Sequence, residues 1–163
     1  MRIYSWNVNG IRAAYNKGDF LKIFENEQPD ILCIQETKAQ EEQLSEEILK
    51  INGYRAYFES ADKKGYSGVA IYTKENPIKI KRFEIDKFDS EGRYLELEYD
   101  KFILVNCYFP NSQEKGKRID YKIEFCDEVL KYLEERKKEG KPVIITGDYN
   151  IAHKPIDLAR PKD

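Results

Sequence analysis

Four apolar runs in this 163-residue chain each end in a residue able to handle a metal ion or a phosphate, and that pattern narrows the fold most. Ile3-Tyr4-Ser5-Trp6 leads into Asn7, and Ile31-Leu32-Cys33-Ile34 into Gln35-Glu36. Phe102 through Cys107 leads into Tyr108 and Asn111, and Val143-Ile144-Ile145 into Asp148 and Asn150. Short apolar runs rich in β-branched and aromatic residues, bounded by Gly, Pro and Asn, read as buried strands. Strands that share a sheet edge bring their polar ends together, where α/β proteins commonly place their sites. One such ending carries little weight; four predict a site.

Between these runs, helical and strand patterns alternate. Phe20, Ile23 and Phe24 predict an amphipathic helix over 19–28, ended by Pro29. Leu44, Ile48 and Ile51 predict a second over 40–51, stopped by Asn52-Gly53. Residues 54–59 and 68–73 read as strands around a Lys63-Lys64-Gly65-Tyr66 turn. Residues 78–81 alternate with period two, as a strand with one wet face does, and 95–99 do the same before a hairpin turn into 102–108. The longest helix is predicted over 118–139, with Ile119, Ile123, Cys126, Leu130 and Leu133 as its buried stripe. Gly140 caps it and Pro142 bars continuation. No repeat or linker divides the chain, so residues 1–163 read as a single α/β unit.

Lys and Arg number 28 against 30 Asp and Glu, so a net charge of −2 gives no support to nucleic-acid binding by itself. Local clusters (Lys63-Lys64; Lys115, Lys117, Arg118; Lys154, Arg160, Lys162) read singly as solvated surface. Three cysteines at irregular spacing make neither a disulfide framework nor a zinc site. Cys33 and Cys107 lie in apolar strands and Cys126 on a helix core face, where they act as small hydrophobes. Reduced thiols, no signal peptide and no membrane-length apolar stretch predict a soluble, cytoplasmic protein. Serine-triad, P-loop, dinucleotide and zinc motifs are missing from the sequence.

Glu36 directly follows a predicted buried strand, a placement suited to holding a hard cation at a sheet edge. Mg²⁺ takes few protein ligands and keeps several waters, so one carboxylate with an amide oxygen from Asn7 makes a workable pair. The plain alternative is a surface glutamate opening a helix. Asn7 and Asn9 serve equally well as turn formers before Gly10, Asn9 above all. In Gly147-Asp148-Tyr149-Asn150, the glycine lets backbone approach a ligand closely, and residues two apart in extended chain face one side. An Asx turn without chemistry is the other reading. Tyr108 and Asn111 offer a phenol and an amide around Pro110, or simply a core tyrosine before a turn. His153, the only histidine, reads as an exposed loop residue.

In this order, the segments WNVNG, QETK, KGYSGVAIYTK, YFPN and GDYNIAH resemble the exonuclease III family of abasic-site DNA endonucleases. That family belongs to the endonuclease/exonuclease/phosphatase superfamily. The resemblance covers the chain, and IDLARPK looks like the archaeal and bacterial branch. It implies a deoxyribonuclease-I-like four-layer α/β sandwich, with two sheets face to face and helices outside. It implies hydrolysis of the phosphodiester 5′ to an abasic site, with 3′ exonuclease and 3′ phosphatase activities, dependent on Mg²⁺ or on Mn²⁺ in its place. On these motifs it implies Glu36, Asn7 and Asn9 at the metal. Tyr108, Asp148 and Asn150 fall on catalytic positions, and Arg12, Tyr66 and Asn111 on positions that touch DNA. Double-stranded DNA with abasic sites or 3′ ends is the implied partner.

Family members continue to a later aspartate and a terminal Ser-Asp-His segment that has no counterpart here, so the chain resembles their N-terminal portion. Without that histidine–carboxylate pair, a contribution of order 10²–10⁴ in rate, the chain alone is expected to be a poor catalyst. With the second sheet missing, an exposed apolar patch of roughly 400 Å² would forfeit on the order of 10 kcal/mol at about 25 cal/mol/Å². A second copy of the chain, or a separately supplied C-terminal half, is then expected to cover it. The rival readings are another phosphoesterase of the superfamily and a non-catalytic binding module. The Arg12 and Gly65-Tyr66 loops favour DNA.

Overall fold

Each apolar run that predicts a strand forms one, and the runs divide between two sheets. The computed structural model describes residues 1–112 and 116–157. Strands β1 (Ile3–Asn7), β2 (Ile31–Gln35), β3 (Arg55–Glu59) and β4 (Val69–Thr73) make the first sheet, in the order β1-β2-β4-β3. Strands β5 (Lys79–Lys81), β6 (Tyr94–Glu98), β7 (Ile103–Tyr108) and β8 (Val143–Asp148) make the second, in sequential order. The β1–β2 and β7–β8 pairs are parallel and the other pairs antiparallel. Parallel neighbours need a crossover. Helices α1 (Ile11–Asn16) and α2 (Asp19–Lys22) supply the first, and the long α5 (Ile119–Lys138) supplies the second.

The two sheets pack face to face. Ile31, Cys33, Val69 and Ile71 of the first meet Leu95, Leu97 and Leu104 of the second, all within 2% of complete burial. The outer face of the first sheet is covered by α1, α2, the turn that follows α2, and α3 (Glu46–Leu49) through Ile11, Phe20, Phe24 and Ile48. The outer face of the second is covered by α4 (Asp86–Asp89) and α5 through Phe88, Phe125 and Val129. Four layers result, as the family resemblance implies. Both sheets are therefore present, which corrects the expectation of a bare inner face and of the large loss of stability that went with it. The inner faces cover each other.

Several local expectations need correction as well. The predicted 19–28 helix is α only to Lys22 and widens into a π turn over Ile23–Glu27, with Phe20 and Phe24 buried as expected. The predicted 40–51 helix is a 3-10 turn (Glu41–Gln43) followed by the single turn of α3, because Leu44 is extended at ψ 143°. The apolar side chains at β5 do not find a core: Ile80 is 50% exposed, and Ile78, just before the strand, 64%. That strand lies at the sheet edge with a partner on one side only.

The largest correction concerns α5. Its predicted buried stripe is turned outward, with Ile119, Ile123 and Leu130 substantially exposed and Cys126 and Leu133 half-buried. The residues it buries are Lys122, Phe125, Val129 and Arg136. Helical periodicity locates an apolar face, but both faces of α5 carry apolar residues, and packing against β7 and β8 selects the one with Phe125. The outward face adjoins Val143 and Ile145 along a groove of about 520 Å³ beside β8. Beyond β7, β8 pairs with no further strand among the described residues.

Candidate active site

The site lies where β1 and β2 of one sheet end against β7 and β8 of the other. Asn7 closes β1, Tyr108 closes β7 and Asp148 closes β8, while Glu36 follows the last residue of β2. The register pairs Asn7 with Gln35 and Tyr108 with Asp148, so the tips within each sheet are level. Across the sheets, a buried amide fixes their alignment. Asn106 donates to Ile34 O and Ala70 O, both at 2.9 Å, and accepts from Gln35 Nε2 at 2.7 Å.

On this frame the polar ends converge. Asn7 Nδ2 donates to Glu36 Oε1 at 2.9 Å and to Asp148 Oδ2 at 2.7 Å, so one amide bridges two carboxylates from opposite sheets. The Tyr108 hydroxyl donates to the same Glu36 oxygen at 2.7 Å. Lys38 Nζ lies 2.7 Å from the other oxygen and also donates to Asn9 Oδ1. Burial works against the Glu36 charge, but the donors Asn7, Lys38 and Tyr108 outweigh it and hold the carboxyl below the usual range. Burial first, and the Glu36 charge second, push the Tyr108 phenol well above its ordinary value, so it is a neutral donor.

The backbone here is unusual. Asn9, Glu36, Lys38 and Asn150 all have φ between +46° and +57°, a region that glutamate and lysine seldom enter. Such turns aim side chains back over the strand ends, and they concentrate at functional sites. Asn9 makes the turn predicted for it, its N–H bonded to Asn7 Oδ1 at 2.9 Å. Asp148 and Asn150 form an Asx turn, Asn150 N–H to Asp148 Oδ1 at 2.9 Å, while the Asn150 side chain donates to Phe109 O. Turn and site are the same structure. Gly147 corrects the sequence reading: φ is +146° and a Cβ there would lie 1.8 Å from Cys107 O, so its close approach is to β7 and not to a ligand.

The remaining predicted residues stand further out. Arg12 is exposed on α1 and reaches Lys38 O at 3.4 Å. The Tyr66 hydroxyl accepts from Arg93 and Arg118, both at 2.8 Å. Asn111 is exposed beyond the Pro110 turn, and His153 is exposed in the bend after β8. Lys63, Lys64, Lys117 and Lys154 are exposed as expected, whereas Arg118 is tied to Glu91 at 2.6 Å. Lys115, Arg160 and Lys162 of the predicted basic clusters, and most of the IDLARPK segment, lie outside the described residues. Three residues escaped the sequence reading. Lys38 is given no role of its own within QETK, Lys122 falls off the predicted buried face although its Nζ meets Asn150 O at 2.5 Å, and Arg93 carries no signal.

The donor set suits a hard cation. No group of three or more His, Cys, Asp and Glu side chains capable of holding a metal occurs among the described residues. Zinc, which is held by three or four such side chains, is a poor match, whereas Mg²⁺ binds through one or two carboxylates and keeps its waters. Asp148, joined to Glu36 through Asn7, opens onto a cleft of about 540 Å³ that Asn7 and Asn150 also line.

A profile of the Endonuclease/Exonuclease/phosphatase family matches residues 4–163. An exodeoxyribonuclease of Bacillus subtilis is 42% identical over 163 residues, covering 99% of this chain and 63% of that protein. A DNA-(apurinic or apyrimidinic site) endonuclease of Dictyostelium discoideum is 42% identical over 164 residues, 99% of this chain and 45% of that one. Among solved structures, the Xenopus laevis APE2 catalytic domain superposes with a TM-score of 0.83 at 31% identity, over all of this chain and 62% of its own. The chain thus spans roughly half to two thirds of the length of these relatives. A match of this extent, on a four-layer sandwich, leaves one assignment: the chain belongs to the endonuclease/exonuclease/phosphatase family.

Proposed function

We propose that this chain carries the metal- and phosphate-binding edge of a DNA repair nuclease that hydrolyses phosphodiesters 5′ to abasic sites and at 3′ ends. The observation that carries the reading is the single amide of Asn7 joining Glu36 to Asp148 across the two sheets. Two carboxylates held together by one amide serve a cation better than they serve the fold, since like charges repel. Glu36, with Asp148 beside it, would hold Mg²⁺ or Mn²⁺, which when bound offsets the charge that develops on a phosphoryl oxygen. Tyr108 contributes a neutral hydroxyl donor, and Asn7 keeps the two carboxylates apart at a fixed spacing. Asp148, which lines the cleft while accepting from Asn150 at Oδ1 and Asn7 at Oδ2, is the carboxylate placed to handle a proton there. Arg12 and Asn111, both exposed, and Tyr66 further out are the groups proposed to meet a nucleic-acid backbone.

Abasic duplex DNA is the proposed substrate, on the names of the similar exodeoxyribonuclease and endonuclease. The outward apolar face of α5 and the unpaired edge of β8 are the proposed seat for polypeptide equivalent to the remaining length of those relatives. The three thiols are free, in keeping with a reducing compartment such as the cytoplasm. Mn²⁺ titration followed by electron paramagnetic resonance tests the reading directly. Saturable binding in the wild type should weaken about 100-fold or more in Glu36→Gln, with the fold intact by circular dichroism. Equal binding by the two proteins would remove the metal role. Abasic duplex should also outcompete a small phosphoester, with an affinity that falls steeply as salt rises.

A further inference from the structure

Arg93 occupies a position that the site described above does not account for. It is 3% exposed, and it stands one residue before β6, behind Tyr108. Every edge of its guanidinium is engaged. Nε donates to Glu91 Oε2 at 2.6 Å, NH2 to the Tyr66 hydroxyl at 2.8 Å and NH1 to Tyr108 O at 3.1 Å. Its planar face lies over the Tyr108 ring, 4.7 Å from the centroid, and 5.6 Å from the centroid of Tyr66. The backbone closes the arrangement, because Tyr108 N–H donates to Arg93 O at 2.8 Å. Tyr108 is thus held by Arg93 at its carbonyl, its N–H and its ring, while its hydroxyl is on Glu36.

The surroundings make this a clamp and not a chance contact. Gly92 carries the chain so close to Ser60 that a Cβ would lie 2.5 Å from the Ser60 carbonyl carbon, and its φ of +57° disfavours any other residue. The turn that delivers Arg93 is therefore fixed. Glu91 accepts from Arg93 and also from Arg118 at the start of α5, and Arg118 in turn donates to Tyr66. A buried guanidinium needs its charge compensated and its five N–H groups used, and a fork of that shape cannot be replaced by the point charge of lysine.

We propose that Arg93 is a positioning residue: through Tyr108 it fixes the donor that steadies the Glu36 carboxylate, and through Tyr66 it ties that donor to the loop on the rim. The inference rests on the metal-and-phosphate reading of the strand ends, and it predicts an effect at Glu36 from a residue that does not touch it. A phenol whose ring lies against the guanidinium, on backbone tied at both its N–H and its carbonyl, keeps its hydroxyl on one carboxylate oxygen. Freed at the ring and carbonyl, it would sample other rotamers and leave Glu36 with Asn7 and Lys38 alone.

The test uses the full chain labelled with 3-fluorotyrosine, with the Tyr108 fluorine resonance assigned by its loss in Tyr108→Phe. Arg93→Met and Arg93→Lys are compared with wild type by ¹⁹F NMR, by Mn²⁺ affinity and by thermal melting. Arg93→Met is expected to shift and broaden the Tyr108 resonance and to weaken Mn²⁺ binding about tenfold. Adding Tyr108→Phe should then cost nothing further, because both changes break one linkage. Arg93→Lys, which keeps charge but not the fork, should fail to restore either signal. A lowered melting temperature with Tyr108 resonance and Mn²⁺ affinity as in wild type would reduce Arg93 to a structural role and overturn the proposal. Should Arg93→Met not fold, Tyr66→Phe, which deletes only the hydroxyl receiving NH2, is expected to move the same resonance, and no movement overturns the idea. Absence of Mn²⁺ binding in the wild type would instead defeat the metal reading, leaving the fluorine signal to decide the positioning role.

Discussion

Two glutamates, Glu36 at the strand tips and Glu96 under the C-terminal half of α5, show how environment separates chemistry from construction. Glu36 keeps 16% of its side chain exposed and receives hydrogen bonds from Asn7, Lys38 and Tyr108, which hold its carboxyl low and charged. Glu96 is completely buried, 2.9 Å from Arg136, and accepts from Tyr94 at 3.0 Å. Burial there outweighs Arg136 and raises the carboxyl. The first charge stays partly exposed at the strand tips, beside the Asp148 carboxylate that lines the cleft. The second is committed to pinning α5 across the outer face of the second sheet, where Arg136 also reaches Glu98 at 3.1 Å. A carboxylate is a site candidate when its donors stabilise the charge and leave it accessible, not merely when it has partners.

That contrast can be broken most forcefully at Arg136. Arg136→Met leaves Glu96 buried without its counter-charge and is expected to cost about 3–5 kcal/mol in urea unfolding, with Mn²⁺ binding intact where the protein is folded. A cost under about 1 kcal/mol would make the Glu96 cluster dispensable. The pH dependence sharpens the same comparison with a smaller effect. Glu36 is depressed, so its contribution is present above the ordinary glutamate value of 4.5 and lost as pH falls through the folded value. Glu96 is raised, so the folded state holds its proton longer, and stability is lost as pH rises through the folded value. Glu36→Gln should therefore flatten the stability–pH slope below 4.5, and Glu96→Gln should alter it only above 4.5, read from urea midpoints across that range. Both substitutions acting in one window would erase the distinction. The smallest effect is expected on the outward face of α5. Leu130 is 59% exposed, so Leu130→Gln should change the stability of the chain by under about 0.5 kcal/mol, measured by denaturant midpoint. The same change should weaken association with polypeptide supplied to that face, measured by sedimentation.

Legibility followed the physics of each signal. The strands were readable because a run such as Val69–Thr73, buried on both faces, has no polar position to disguise it. The candidate residues at the strand ends were readable because polar side chains directly after such runs must emerge at the sheet edge. Arg93 was not, since a buried arginine held by residues 15 and 27 positions away, Tyr108 and Tyr66, has no local pattern to betray it. The α5 face was misread for a related reason. Ile119, Ile123 and Leu130 form a stripe at least as regular as Phe125 and Val129, and periodicity cannot rank two apolar faces.

Composition and order of residues alone determined the strands, the crossovers, the turn at Asn9-Gly10 and the residue types available at the strand tips, because these depend on neighbours within a few positions. Tertiary structure alone decided that both sheets stack within this chain, that Asn7 lies between Glu36 and Asp148, and which side of α5 is inside. Those outcomes depend on contacts up to 141 positions apart, and only packing of the two sheets, locked by Asn106, brings such residues into register.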